Sequence, residues 1–460
     1  MSGSKLLFII ILNSDTFNRF EYRKITNLYY QIMNYSKILT LFLSLFILSM
    51  VASCDKNSTD PDGPDEGFLA SELDALGTIN LGGFTIPNSY DITGSFAPGK
   101  YSGQERRLAQ LKEITDSLRN EPIRWNLSAA LANENKDQFK SVAAQGNSDI
   151  RTKIDELNFD NGDTSVADDF AELADRLVTS SQENFTVTAS TGTAGMITTG
   201  SKKRHVSANG LEYAQILEKG LYGAMAYDQM VDDYMRDSQA GVQNTKGNNE
   251  SAVNNYSSYG TDRQHRWDEA FGYFGAEAAT YPNADNTSNG DGMFIANYTF
   301  DFSDEVEEAM GVNLAEKAMR AFIVGRAALK AGQGFGPSQE TTNETVFNAA
   351  RADAKLYVEA GIAAAALHYL NAAIADITDE DKLHHLSEAL AFIYSLSFNS
   401  EGRLTATEAH NALIALGWSS SDSSLKGIYE INLWNVTDAQ MESAKNIIAE
   451  SFPGFGEIAF

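Results

Sequence analysis

The sequence predicts an all-α protein on the basis of three observations. Only 8 prolines occur in 460 residues, which disfavours a β fold with many turns. Alanine-rich stretches such as "AGIAAAALHYLNAAIAD", residues 360–376, have high helix propensity. Apolar residues recur at helical spacing behind Ser and Thr capping residues. We therefore expect two helical bundles, with a short irregular or β segment at their N-terminal end.

The N-terminal part of the chain contains a pattern typical of export. The stretch "MNYSKILTLFLSLFILSMVASC" runs from Met33 to Cys54, with Lys37 ahead of an apolar segment. That segment is too short and wrongly flanked for a spanning helix, so residues 33–53 are predicted to be a signal peptide. Its end, "VASC", resembles a bacterial lipobox, and Cys54, the one cysteine in the sequence, is the predicted site of lipidation. Residues 1–32 are interpreted as an extension from a misplaced start codon.

Composition divides the rest of the chain into segments. Residues 54–67 form an acidic Pro/Gly linker without apolar periodicity, which would tether the body to a membrane. Residues 68–100 combine Gly, Pro, Asn and β-branched residues and predict short strands or turns. A first helical half, 68–240, and a second, 261–460, are predicted on either side of a polar loop at 241–260.

The predicted helices of both halves share apolar residues at spacings of three and four. They cover residues 102–120, 127–139, 150–157, 166–182, 209–235, 262–280, 303–332, 340–376 and 379–396. Capping boxes are predicted at Ser102 with Glu105, Thr405 with Glu408, and Thr437 with Gln440, and Thr378 is predicted to cap the helix after it.

The formal net charge of -27 excludes one class of partner. Binding to nucleic acid needs clustered Lys and Arg to meet the phosphates, so we expect no nucleic-acid partner. Strong acidity keeps a protein soluble and can also attract cations or basic ligands.

The stretch "KLHHLSEALAFIYSL", residues 382–396, is the first candidate site. On a helix, His384 and His385 lie four and three residues before Glu388 and therefore share its face. A His and a Glu on one turn can together hold a metal ion, as in the inward-facing pairs of metal-binding bundles. The structural alternative is a helix whose histidines only make hydrogen bonds. The candidates for further ligands from other helices are His265, Asp268, Glu269 and His368.

A second candidate cluster is "HRWDEAFGYFG", residues 265–275, which contains His265, Trp267 and Glu269. Aromatic-rich stretches are more often core than ligand platform, and acidic residues beside arginines are typical of ion pairs. The sequence contains no zincin motif and no nucleophile elbow, so it predicts no catalytic set.

A third feature is "SFNSEGRLTATE", residues 397–408, which has the length of an EF-hand loop. Gly402 stands at the sixth place and Glu408 at the twelfth. Ser397 replaces the first aspartate of such a loop, and Glu408 is also explained as a capping residue. Helix capping is therefore the alternative to calcium binding here.

Three stretches of the sequence, two of them within the candidate sites above, resemble one family. With the lipobox Cys54, the stretches "YSGQERRL" (101–108), "WDEAFGYFG" (267–275) and "HHLSEALAFIYSL" (384–396) are similar to a Bacteroidetes lipoprotein family catalogued as domain of unknown function 4856. That family in turn resembles the imelysins, helical two-bundle proteins with a Gly-x-His-x-x-Glu motif, which are linked to iron uptake and were first named as metallopeptidases.

The resemblance to imelysins implies a site at particular residues. The motif's His falls on His385 and its Glu on Glu388, whereas Leu383 stands where an imelysin has glycine. The resemblance implies the two-bundle fold and a link to iron, and it implies no particular reaction.

These observations together favour a non-enzymatic binding protein anchored by lipid at Cys54 in the outer membrane. Its expected ligand is iron, another divalent metal, haem or a protein of an uptake system. His385 and Glu388 would be the metal or pocket ligands, with Glu269 and Trp267 in support. The alternatives are a metal-dependent peptidase of imelysin type and a purely structural surface lipoprotein.

Overall fold

The computed structural model describes residues 66–90, 101–118, 122–135, 138–155, 165–236, 261–277, 292–332 and 342–460, and it confirms the predicted all-α class. The α-helices are, in chain order, α1 Glu72–Ala75, α2 Ser102–Ser117, α3 Leu127–Leu131, α4 Arg151–Ile154, α5 Val166–Asn184, α6 Tyr213–Leu221, α7 Asp262–Phe274, α8 Ile295–Asp301, α9 Ser303–Met310, α10 Leu314–Ala331, α11 Thr342–Ala375, α12 Asp379–Leu396, α13 Ala406–Ala415 and α14 Asp438–Ser451. Short 3-10 helices lie at Glu66–Phe68, Leu425–Glu430, Leu433–Asn435 and Phe455–Glu457.

The centre of the fold is the alanine-rich helix α11, which packs against α10 on one side and α12 on another. Its alanines, from Ala360 to Ala366, are buried, and their small side chains allow the neighbouring helices to come close. Within the described residues α11 is the one helix long and apolar enough to cross a membrane, but most of it is buried inside the protein. A core helix of a water-soluble fold meets the same criterion.

Helix α6 continues into two π-helical segments, Tyr222–Tyr227 and Gln229–Tyr234. Together they fill most of the single helix predicted for 209–235. The wider winding occurs beside Gly223, where an added Cβ would collide with the backbone of Ser395 on α12. The Ser395 hydroxyl donates a hydrogen bond to the Lys219 carbonyl at 2.8 Å. This bond joins α12 to α6 at a point where their backbones lie close together.

The predicted helix ends were confirmed where a threonine caps them. Thr378 accepts a hydrogen bond from the Asp381 backbone, and Thr405 and Thr437 each form a complete capping box. The capping box predicted at Ser102 is wrong, because Ser102 is already inside α2 and the residue before it makes no side-chain cap. The helix predicted for 127–139 ends at Leu131, and Asn133 then adopts the left-handed conformation (φ 50°), which no helix continues.

One hairpin of the fold was not predicted. Strand β1, Gly195–Thr199, pairs antiparallel with β2, Lys202–Val206, in the register Gly195 opposite Val206. Gly200, with φ 57°, makes the tight connection between the strands. The irregular segment predicted at 68–100 contains turns and α1 in its described residues, 68–90, without a strand.

The described helices of both predicted halves belong to one compact unit, Pro64–Phe460. Helix α6 of the first half packs directly on α12 of the second. The connecting loop at 241–260 lies outside the described residues, as do residues 1–32, the signal peptide at 33–53 and all but the end of the linker at 54–67. Those divisions of the chain stay predictions.

Candidate functional site

A cavity of about 710 Å³ lies where β2, α6, α11 and α12 meet. Four of the six histidines of the sequence line it, and we call it the imidazole cavity. Its histidines are His205, His368, His384 and His385, its other charged residues are Lys202, Lys203, Arg204, Glu212, Glu218, Lys219 and Glu388, and its remaining lining is Thr115, Leu118, Ala214, Gln215, Tyr298 and Tyr369. The first candidate stretch therefore does face a partly open, mostly polar cavity.

His384 bridges two carboxylates of the imidazole cavity. Its Nδ1 lies 2.8 Å from Glu212 Oε2, and its Nε2 lies 3.4 Å from Glu388 Oε2. Glu212 also accepts a hydrogen bond from Arg204 at 3.0 Å. Burial alone would raise the pKa of Glu212, but His384 and Arg204 outweigh it and hold the pKa below its usual value.

Glu388 is paired with a lysine rather than with His385. Lys219 Nζ lies 3.2 Å from Glu388 Oε1 and 3.1 Å from Glu218 Oε2. Burial would lower the pKa of Lys219, but the two carboxylates dominate and raise it. A metal ion at Glu388 would have to compete with this ammonium group for the same oxygen atoms.

His385 lines the same cavity but has a different partner. Its Nδ1 lies 2.7 Å from Asp376 Oδ2, a contact that orients the ring. In the part of the chain that the structure describes, no group of three His, Cys, Asp or Glu residues is placed to hold a metal ion. The metal role predicted for His385 and Glu388 stays a prediction.

Two histidines of the cavity have a buried nitrogen without a hydrogen-bond partner. His205 is 2% exposed, and its Nε2 lies 3.1 Å from the Ser180 hydroxyl, while its Nδ1 is buried without a hydrogen-bond partner. Burial lowers the pKa of His205 to about 4, so the ring is neutral at neutral pH. His368, a predicted further ligand, likewise has an Nδ1 without a partner, and burial lowers its pKa. Both rings line the cavity, and each buried Nδ1 lacks a hydrogen-bond partner.

The second candidate cluster does not line the imidazole cavity. Trp267 on α7 is fully buried against Phe322, whose carbonyl accepts its Nε1 hydrogen bond at 2.9 Å. Glu269 accepts from Arg266 at 2.6 Å, and His265 lies 3.7 Å from the same carboxylate. Trp267 is thus a core residue, and Glu269 and His265 belong to an ion-pair group on one face of α7.

Asp268, the remaining predicted ligand, is also in the core. It is fully buried, accepts from Arg326 Nε at 2.7 Å and accepts from the Tyr90 hydroxyl at 2.6 Å. In the EF-hand-like loop, the Glu408 carboxylate accepts from the backbone and hydroxyl of Thr405, which commits it to the capping box.

Leu383 stands at the position where the imelysin motif has glycine. Its buried side chain packs against Gly210. An added Cβ on Gly210 would lie 2.5 Å from the Leu383 side chain. The close approach at this point is therefore made possible by Gly210, in the segment before α6, rather than by a glycine on α12.

The cationic side of the cavity was not predicted from the sequence. Lys202, Lys203 and Arg204 form the one run of three consecutive Lys or Arg residues in the sequence, which could have marked them. Lys219 carried no such signal, because only the packing of α6 against α12 brings it to Glu388.

The fold and the cavity define a class: a helical protein with a partly open polar cavity lined by imidazoles and by paired charges. The chain belongs to the family described as Domain of unknown function (DUF4856), whose model matches residues 93–455. The search among curated proteins found no match, and the search among solved structures also found none.

Proposed function

We propose that this protein is a non-enzymatic, lipid-anchored binding protein of the outer membrane that holds its ligand in the imidazole cavity. The observation that carries the proposal is the cavity itself. Its volume of about 710 Å³ lies in the range of small-molecule sites, roughly 300–1,000 Å³. Its buried charges hold one another in fixed positions, so the lining is preorganised for a ligand.

The location of the protein is proposed from the sequence. The apolar segment ending in "VASC" supports cleavage before Cys54 and attachment of acyl chains to its thiol. A Cys54→Ala variant would then lose both incorporation of labelled fatty acid and recovery in the membrane fraction. Retention of both by the variant would contradict the lipid anchor.

Iron uptake is the proposed context, on the strength of the resemblance to imelysins. Glu388 is neutralised by Lys219, and His385 is held by Asp376, so these two side chains do not stand ready for a bare ion. We therefore propose that iron would enter the cavity within a complex, as haem or as a chelate, with His385 and Glu388 as pocket residues.

The test is retention of a ligand by the purified protein. The protein would be loaded with iron salt, iron(III) citrate or haem, desalted, and assayed by elemental analysis and absorbance. A His385→Ala, Glu388→Gln variant, checked for folding by circular dichroism, would lose the retained complex. His410→Ala is the matched control, because His410 is half-buried and hydrogen-bonded to the Ser419 carbonyl but does not line the cavity.

Near-stoichiometric retention by the wild type and the control, but not by the double variant, supports binding in the cavity. Equal retention by all three proteins would place the ligand elsewhere. Cleavage of peptides that depends on added metal and is lost in Glu388→Ala would replace the binding proposal with the peptidase alternative.

A further inference from the structure

The charge of the imidazole cavity differs from that of the whole chain. The sequence has 62 acidic and 35 basic residues, so an average lining would be dominated by carboxylates. The cavity instead carries four cationic side chains, Lys202, Lys203, Arg204 and Lys219, against three carboxylates. Because a cavity with low-dielectric walls focuses the potential of its lining, this local excess matters for what enters.

The carboxylates of the lining are already satisfied from within. Glu212 accepts from Arg204 and contacts His384, and Glu388 pairs with Lys219. Glu218 pairs with the same lysine and accepts the Tyr222 hydroxyl at 2.8 Å. Each of the three carboxylates therefore has a cationic partner within the lining, and Glu218 and Glu388 share Lys219.

The two hairpin lysines are in a different situation. Lys202 and Lys203 are exposed at the start of β2, and no carboxylate of the described residues lies within ion-pair distance of either. They line the cavity from its outer side, where their charge is not neutralised by a neighbour. Positive charge at a cavity wall raises the association rate of small anions.

The deeper wall offers hydrogen-bonding groups without a partner. His205 Nδ1 and His368 Nδ1 are both buried and unpartnered, although such groups are normally satisfied in a folded protein. In the tautomer in which His205 Nε2 accepts the Ser180 hydroxyl, its Nδ1 carries a hydrogen and is a donor. Both imidazole rings line the cavity, so a ligand oxygen would satisfy such a donor once the ring turned to expose it.

From this arrangement, and building on the proposed function, we infer that the ligand of the imidazole cavity is a small oxyanion, with carboxylate or phosphate oxygens placed between Lys202, Lys203 and the unpartnered imidazoles. Iron would then be carried as an anionic chelate. A cationic ligand would meet two unneutralised lysines and three carboxylates that already have cationic partners.

The test is calorimetric titration of the purified protein with citrate, inorganic phosphate, iron(III) citrate and, as a cationic probe, spermidine. Citrate and phosphate distinguish the two sources of oxyanion, and iron(III) citrate tests the chelate. The variant is Lys202→Gln with Lys203→Gln. Its matched control is Lys112→Gln with Lys140→Gln, which removes the same charge from two exposed lysines outside the cavity.

We expect the wild type and the control to bind at least one anion with the same affinity, and the hairpin variant to bind it about tenfold more weakly. The affinity should also fall with added salt, since exposed charges are screened. Equal affinities of the hairpin variant and the control would overturn the assignment of the anion to this wall.

Two further outcomes separate this inference from the proposed function. Binding of spermidine in the titration would overturn the small-oxyanion inference while leaving a binding protein. Retention of haem in the loading assay, without binding of citrate, phosphate or iron(III) citrate, would do the same. Absence of binding for every probe, including haem and iron salt, would overturn both.

Discussion

The ammonium group of Lys219 lies 3.2 Å from the carboxylate of Glu388, and the two side chains are only 5% and 6% exposed. This ion pair joins α6 to α12 in the wall of the imidazole cavity. Glu388 was predicted to be a metal or pocket ligand, and the structure places a cation beside it that comes from the protein itself. The pair is therefore both part of the site and part of the packing between two helices.

Removing Lys219 alone should destabilise the protein more than removing both Lys219 and Glu388, because Lys219 is the cationic partner of two buried carboxylates, Glu218 and Glu388. Lys219→Met would leave the Glu388 carboxylate buried beside His384 with less compensation, at a cost of about 3–5 kcal/mol in the free energy of unfolding. Lys219→Met with Glu388→Leu should recover part of that loss. Urea denaturation of the single and double variants measures the coupling. A double variant less stable than Lys219→Met alone would contradict this account.

Glu359 should make stability fall as the pH rises. Burial raises the pKa of Glu359 to about 7, although the backbone of Leu404 donates a hydrogen bond to it. The unfolded chain releases this proton near pH 4.5 and the folded chain near pH 7, so the free energy of unfolding should drop between these values, by about 3 kcal/mol at most. Glu359→Gln should reduce that drop in urea denaturation at pH 5 and pH 8, and the part that remains belongs to other buried carboxyls with a raised pKa, such as Asp228.

Glu113 provides the matched control with the opposite sign. Burial alone would raise its pKa, but hydrogen bonds from Ser141 and the Lys140 backbone outweigh it and lower the pKa. Its stabilising effect should be present at neutral pH and be lost as the pH falls through the lowered pKa. Glu113→Gln should therefore leave the drop between pH 5 and pH 8 unchanged, and loss of the drop in this variant would refute the assignment to Glu359.

Gly223→Ala should disrupt the contact between the π-helical segment and α12. The added Cβ would fall on the Cα of Ser395 and on its hydroxyl, which donates a hydrogen bond to the Lys219 carbonyl. We expect a loss of about 2–3 kcal/mol, measured by thermal or urea denaturation. Gly103→Ala, in α2, is the control, because an added Cβ at Gly103 would meet no atom closer than 3.4 Å. This substitution should stabilise the helix by up to about 1 kcal/mol. Similar losses in both variants would contradict the steric explanation.

Trp267→Phe should lower stability without changing ligand binding. The substitution leaves the Phe322 carbonyl without its indole donor and creates a space beside Gly325, at a cost of about 2–4 kcal/mol. Thermal denaturation measures the loss, and the retention assay measures the ligand. Loss of the ligand in a folded Trp267→Phe protein would restore the predicted role of Trp267 in the site.

Much of the helical framework could be predicted because its signals are local. Threonine caps at Thr378, Thr405 and Thr437 act through hydrogen bonds to residues three positions away, and the structure confirms each of them. Local patterns failed where backbone geometry deviates from the helix. The left-handed Asn133 ended one predicted helix early, and π-helical winding replaced part of another.

The candidate site was only partly predictable, since it is made of residues far apart in the chain. His384, His385 and Glu388 could be grouped by their spacing on one helix, and all three do line one cavity. His265, Trp267 and Glu269 had an equally suggestive spacing but face other parts of the core or an ion-pair group. Spacing places residues on a common helix face but does not show what that face contacts.

The sequence by itself determined the all-α class, the three helix starts capped by threonine and the membership in the DUF4856 family. Only the tertiary structure decided which charges meet: Lys219 with Glu388, His384 with Glu212, and His385 with Asp376. The physical reason is the separation along the chain over which each kind of interaction acts. Helix propensity and capping act within a few residues, whereas the pairs Lys219 with Glu388 and His384 with Glu212 depend on the packing of segments more than a hundred residues apart, and the pair His385 with Asp376 depends on the turn between α11 and α12.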